Sequence, residues 1–145
     1  MEIYTAGFTH TSAERFFERL RDASIRRLID VRLNNVSQLA GFSKRDDLAY
    51  FLRVICGADY LHEPLLAPTQ ELLDGYKKHK GDWEDYERRF LALMDERRIA
   101  ERLDRTLFDV PAVLLCSEAT AEHCHRRLVA EYLRDHWGDV RIVHL

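Results

Sequence analysis

The chain has little of what marks several common classes of protein. It has three cysteines in 145 residues, an odd number with only Cys116 and Cys124 close in sequence. That excludes a secreted disulfide framework and fits reduced thiols in the cytoplasm. It has three prolines (Pro64, Pro68, Pro111), all between periodic segments, and no tract rich in glycine, serine or proline. Linkers, low-complexity arms and repeats are therefore not expected. No apolar stretch approaches the roughly 18 residues of a membrane span. The start, Met1-Glu-Ile-Tyr-Thr, has no basic region leading into an apolar one, so no secretory signal is expected. The net charge of −3 supplies no general attraction to nucleic acid or anionic membrane. Nucleic acid is thus a disfavoured partner, although local basic patches remain open.

What is present describes one globular domain, residues 1–145. The chain is 46% hydrophobic and 32% charged, and a chain this long buries about two-thirds of its unfolded surface. Glu2–Gly7 reads as a strand ending at a glycine. Thr11-Ser-Ala-Glu14 is a capping-box pattern with Thr11 as N-cap. It opens a helix over Ser12–Ala23 with Phe16, Phe17 and Leu20 at helical spacing. Leu28–Val31 suits a strand buried on both faces, and Asn34–Phe42 an ordered loop. A helix follows from Ser43-Lys-Arg-Asp46 and stops at Gly57, and Ala58–Leu66 has room for a short strand. Thr69–His79 and Trp83–Arg105 read as charged helices, Pro111–Cys116 as a buried strand, and Thr120 as the cap of a helix over Ala121–His136. Val140–Leu145 reads as the last strand. Strands alternating with helices predict an α/β fold: a single three-layer domain with a mainly parallel sheet flanked by helices.

In such sheets ligands bind beyond the carboxyl ends of the strands. That rule places three polar segments on one rim: Gly7–Thr11, Arg32–Ser43 and Cys116–Arg126. The last is the richest. Ala112-Val-Leu-Leu-Cys116-Ser-Glu118 runs into Ala119-Thr-Ala-Glu-His123-Cys124-His125-Arg126, gathering two thiols, a carboxylate, two imidazoles and a guanidinium where a strand feeds a helix. A thiol at a helix start is suited to nucleophilic, metal-binding or redox work. Free cysteine is equally a common core residue. A metal reading has Cys116, Cys124 and His125 as ligands with Glu118 as a fourth. Against it, Cys124 and His125 are adjacent and, on a helix, point about 100° apart. No metal is assigned on the sequence, and no cofactor is identified.

Asp30 lies in an otherwise apolar strand, and a buried carboxylate needs a partner. Arg32 or Arg126 supplies one, either as a plain ion pair or as a carboxylate that holds an arginine facing a ligand. The turn after Gly7 exposes backbone N–H groups to an anion, yet a single glycine is not a nucleotide-binding fingerprint. Ser43-Lys-Arg45 adds a hydroxyl and cations. Tyr60-Leu-His62-Glu-Pro64 sets a histidine in a constrained loop. Tyr86, Phe90 and Leu93 form a stripe best read as core.

Taken in order, Thr5-Ala-Gly7, Asp30-Val-Arg32, Gly41-Phe-Ser43, Tyr60-Leu-His62-Glu-Pro64, Leu114-Leu-Cys116-Ser-Glu118 and Cys124-His-Arg126 resemble the motifs of domain-of-unknown-function family 488, from about Ile3 to Leu145. The resemblance implies an α/β fold in a bacterial or archaeal cytosolic protein, with no assigned reaction. Gly7, Asp30, Arg32, Ser37, Phe42, His62, Cys116, Glu118, Cys124, His125 and Arg126 match its motif positions. Two departures stand out. Phe8 occupies a place where histidine or tyrosine is common, and Leu65-Leu-Ala-Pro68 replaces Leu-Gly-Gly.

The expectation is a small cytoplasmic protein with one polar pocket for a small anionic ligand bearing a phosphate or carboxylate, with nucleotides among the candidates. Cys116, Glu118 and His125 are the candidate catalytic residues. Gly7, Asp30, Arg32, Ser43, His62, Cys124 and Arg126 are the candidate ligand-binding residues, with Arg32 and Arg126 gripping the anion. Whether it is an enzyme is left open. Two other readings compete: a thiol- or metal-based sensor using Cys116 and Cys124, and a nucleic-acid or protein binding module using helices such as Trp83–Arg105. The oligomeric state is not addressed by the sequence.

Overall fold

A computed structural model describes residues 1–35, 41–77, 81–117 and 121–145. Five strands, β1 (Glu2–Gly7), β2 (Arg27–Asp30), β3 (Asp59–His62), β4 (Ala112–Cys116) and β5 (Arg141–His144), form one sheet. Their order is β3-β2-β4-β1-β5, and every pairing is parallel. Parallel neighbours cannot be joined by tight turns, so helices make the crossovers. These are α1 (Ala13–Asp22), α2 (Arg45–Phe51), α3 (Gln70–Lys77), α4 (Trp83–Glu96), α5 (Ile99–Arg102) and α6 (His125–Trp137). The expected three-layer α/β domain is what the structure has.

The central strand explains the layering. All five residues of β4 are buried, as expected for a strand covered on both faces. Ala112, Leu114 and Cys116 point into a core shared with α4, α5 and α6. Val113 and Leu115 point the other way, into a core built from Phe16, Phe17 and Leu20 of α1 and Leu48 and Leu52 of the α2 region. The two-residue period of the strand thus divides one run of apolar side chains between two cores.

Several local expectations are corrected. The N-cap of α1 is Ser12, whose hydroxyl accepts from the Arg15 N–H at 3.2 Å. Thr11 instead accepts from Arg19 Nη2. The segment read as one helix over Trp83–Arg105 is interrupted at Arg98, which has φ 56°. That left-handed turn costs about 1–2 kcal/mol and swings Ile99 and Leu103 into the core, where both are buried. The α2 helix relaxes into a π-helical turn over Leu52–Cys56 and ends at Gly57 (φ 62°), a conformation that glycine adopts without a Cβ clash. The last helix begins at His125, four residues later than expected, with Cys124 as its extended N-cap (φ −138°, ψ 139°). The expected cap Thr120 lies outside the described residues.

The connections from the neighbouring strands β2 and β4 leave the sheet in opposite directions. β2 runs through α2 on one face to β3, and β4 runs through α6 on the other face to β5. Such a divergence opens a crevice at the carboxyl ends of the strands. The Thr9 N–H and hydroxyl both bond to the Ser117 carbonyl, the former at 3.0 Å, and tie the loops that leave β1 and β4 together at this rim.

Candidate functional site

Three strand ends place the chemistry. Gly7 pairs with Cys116 across the β1–β4 ladder. Asp30 is opposite Leu115 on one side and His62 on the other. The apolar strand residues that fix this register therefore also bring Asp30, His62 and Cys116 to one edge.

Asp30 is fully buried and satisfies its charge locally. Its carboxylate accepts from Arg32 N (3.1 Å), Arg32 Nε (2.9 Å) and Arg32 Nη2 (2.8 Å), and from the Tyr60 hydroxyl at 2.5 Å. Asn35 in turn donates to Tyr60 at 3.1 Å. Burial, together with the bond to Asp30, raises the pKa of Tyr60, because a phenolate there would face a carboxylate. Arg32 also donates from Nη2 to the Ser43 carbonyl at 2.7 Å, and its guanidinium sits 5.1 Å from the Phe8 ring centroid. His62 Nε2 donates to the Arg32 carbonyl at 2.9 Å. Arg32 is thus held from four directions. Only its Nη1 is left, buried and without a hydrogen-bond partner among the described residues.

Arg32 lines a cavity of about 350 Å³, together with Ser117, Cys116, Cys124 and His125. That volume lies in the range of small-molecule sites. Part of the lining is aromatic: Tyr76, Trp83 and Tyr86 contribute to it, with ring centroids 5.2–5.4 Å apart. His123 extends the wall, stacked on Trp83 at 4.9 Å. The cavity is therefore amphipathic, lined by aromatic rings as well as by a guanidinium and two sulfurs.

The floor of the cavity is the cysteine–histidine cluster. Cys116 and Cys124 are joined as a disulfide in this structure, with Cα atoms 7.4 Å apart; the two thiols expected to be reduced are thus near enough to pair, and among the described residues only Cys56 is a free thiol. A ring nitrogen of His125 completes a set of three donor atoms, all within 4.8 Å of one another. His125 Nε2 donates to the Val31 carbonyl at 2.7 Å. A carbonyl only accepts, so that nitrogen carries the proton and Nδ1 keeps its lone pair. Burial lowers the pKa of His125 to about 4, which makes it a neutral imidazole at ordinary pH although its ring keeps some exposed surface. Arg126, almost wholly buried, donates from Nη1 to Cys116 Sγ at 3.4 Å and from Nε to the Thr5 hydroxyl at 3.3 Å.

Of the residues singled out in the sequence, Arg32, Cys116, Cys124 and His125 meet on one cavity wall. Asp30 stands behind Arg32, and His62 and Ser43 fix it through backbone carbonyls. Gly7 contributes its ladder position beside Cys116. Arg126 lies beneath the cavity, against Cys116, rather than on its lining. Glu118 and Ser37 fall outside the described residues. Sequence reasoning missed Phe8 and Trp83 as site residues, and marked Tyr60 only as part of a constrained loop. Phe8 carried a signal as a departure from the family motif, and its ring lies against the Arg32 guanidinium. Trp83 gave none, because its partners are distant in sequence.

A family model described as Domain of unknown function DUF488 matches residues 12–133. No curated protein and no solved structure matches the chain. No helix among the described residues is long and apolar enough to cross a membrane.

Proposed function

The chain belongs to the family of the domain of unknown function DUF488, and because that membership brings no reaction with it, we propose a function from the cavity itself: binding of a small anionic ligand with a flat apolar part, over a reactive cysteine–histidine floor. The observation that carries this reading is Arg32 Nη1. A buried guanidinium nitrogen without a partner is costly, and this one belongs to a side chain that lines a cavity of ligand size. A phosphate or carboxylate oxygen meets that need through a charge-assisted hydrogen bond. Because Asp30 already occupies Nε and Nη2, the grip is single-pointed rather than a bidentate fork.

The aromatic side suggests what is attached to the anion. Tyr76, Trp83 and Tyr86 give the lining aromatic surface for a planar ring, and base–aromatic stacking contributes about 1–3 kcal/mol per base. A nucleoside monophosphate suits both parts of the lining. His125, with Nδ1 unprotonated, offers a lone pair at the cavity, and the sulfurs beside it, once their disulfide is reduced, supply nucleophilic or metal-binding capacity. A role for Glu118 in this chemistry stands on the sequence alone.

The test is a titration of isotope-labelled protein with inorganic phosphate and with adenosine monophosphate, followed by nuclear magnetic resonance. Saturable shifts should centre on Arg32, Ser117 and His125. The nucleotide should bind at least about fivefold more tightly than phosphate, the equivalent of about 1 kcal/mol of stacking, and Trp83→Ala should erase that difference. No saturable shift with either probe, or shifts centred elsewhere, overturns the reading.

A further inference from the structure

We propose that the reduced Cys116, Cys124 and His125 form a binding site for one zinc ion. The sequence argued against shared ligation, because adjacent residues on a helix diverge. The structure removes that objection. Cys124 is not helical but the extended N-cap, and only His125 lies in the first turn of α6. The change of backbone conformation between them turns both side chains to the same point, and the third donor arrives from the end of β4. All three donor atoms fall within 4.8 Å of one another.

Three further observations fit an ion better than core packing. Two thiolates and one imidazole are a characteristic zinc donor set. His125 is oriented by its Nε2–H bond to the Val31 carbonyl, the outer contact that metal-ligating histidines usually make, and it leaves Nδ1 for the metal. The Cα atoms of the two cysteines are 7.4 Å apart, beyond the 4.4–6.8 Å usual for a direct disulfide. That backbone spacing leaves room for the sulfurs to sit on a central ion, where two Zn–S bonds of about 2.3 Å place them about 3.8 Å apart. Arg126 does not oppose this. Two thiolates neutralise the zinc charge, and the Nη1 donor at 3.4 Å from Cys116 is a hydrogen bond to one of them.

Three protein donors leave a tetrahedral ion one position short, the pattern of a reactive rather than a purely structural zinc site. The fourth position opens on the cavity shared with Arg32, where water or an anionic ligand completes it. The inference rests on the proposed function only for that cavity. The balance has two steps: a phosphine or thiol reductant supplies two electrons and opens the Cys116–Cys124 disulfide to two thiols, and these then lose their protons to solvent as one zinc ion is taken up.

The test uses the whole chain, reduced with a phosphine and stripped with a chelator that is then removed. Zinc titrated against a chromophoric competitor should bind one ion per chain with release of protons. Cobalt(II) in its place should give thiolate-to-metal charge-transfer bands and the visible absorption of a tetrahedral ion. Cys116→Ser and Cys124→Ser should each abolish those bands, and His125→Ala should weaken zinc binding by more than about tenfold. Because the cobalt spectrum is read on the unaltered chain, a variant that fails to fold does not decide the matter. The inference is overturned if the reduced chain takes up no stoichiometric zinc, or if cobalt binds without thiolate bands. Phosphate titrated into the zinc-free chain separates this outcome from the anion reading. Phosphate binding without zinc binding sinks the zinc site alone, and zinc binding without phosphate binding sinks the anion site alone.

Discussion

Replacing Asp30 by asparagine changes one atom and should cost a large part of the stability of this domain. The carboxylate is fully buried and accepts four hydrogen bonds, three from Arg32 and one from Tyr60. The amide keeps one acceptor oxygen and turns an NH₂ group toward donors that have nowhere else to point. The Arg32 charge, itself only 4% exposed, loses its counter-ion inside the protein. Breaking a buried pair in this way costs about 3–5 kcal/mol, against a total of about 5–15 kcal/mol for a typical domain. Urea unfolding followed by circular dichroism should show the midpoint falling with an unchanged slope. The surface pair Arg27–Asp59 is a built-in control. It has the same bidentate form, at 3.0 and 3.2 Å, but Asp59 is mostly exposed, so Asp59→Asn should cost less than about 1 kcal/mol. Replacing both members of the buried pair, as Asp30→Leu with Arg32→Met, should cost less than Asp30→Asn alone, because no charge is then stranded. A loss below about 1 kcal/mol for Asp30→Asn, or a double variant costing the sum of its parts, would refute this account of the pair.

Two further outcomes follow from the same geometry. Tyr60 is held protonated by burial and by its bond to Asp30, and Tyr86 by burial. Their folded pKa values therefore lie above the unfolded value of about 10. The stability they contribute is complete below that pH and falls as pH rises beyond it. Denaturant midpoints measured across the alkaline range should show this decline, and Tyr60→Phe should make it shallower. A slope untouched by Tyr60→Phe would mean that the hydroxyl is not held as described. Gly57→Ala should cost about 1 kcal/mol from the left-handed backbone alone, since an added Cβ meets nothing within 4 Å. A neutral result in thermal unfolding would show that the turn relaxes to another conformation.

The fold was largely legible because its strands are short apolar runs and parallel sheets bury both faces. Leu114 and Leu115 need no partner information to be assigned to a core; which core follows from alternation. The boundaries that failed did so for identifiable reasons. Arg98 breaks a helix without glycine or proline to announce it, because burial of Ile99 and Leu103 offsets a backbone cost that sequence periodicity does not register. The start of α6 carries no capping signal: Cys124 makes no side-chain cap hydrogen bond, and the stretch before it, with its threonine and acids, imitates a helix start. Half of the site was legible in the same way. Asp30 and Arg32 stood out as charges in an apolar strand, and Cys116 and His125 as reactive groups at a strand end and a helix start. The aromatic side of the cavity was not, since Tyr76 and Trp83 belong to different helices and meet only in three dimensions.

One boundary error changes the chemistry. Placing Cys124 inside a helix sets its side chain about 100° from that of His125, and on that geometry the pair does not share a ligand. Placing it one residue before the helix makes the pair converge, and the same four-residue shift of α6 brings His125 close enough to bond the Val31 carbonyl at the end of β2. That bond links the cysteine–histidine floor to the strand that carries Asp30 and Arg32. Val31 is the residue between them, so the two halves of the site share a backbone: Arg32 lines the cavity while the carbonyl beside it orients the imidazole. On the two proposals, an anion drawing on Arg32 Nη1 and an ion held by Cys116, Cys124 and His125 would be neighbours across one cavity. A phosphate oxygen that took the open fourth position of the zinc would be held by both, so zinc should tighten phosphate binding and phosphate should tighten zinc binding by the same factor.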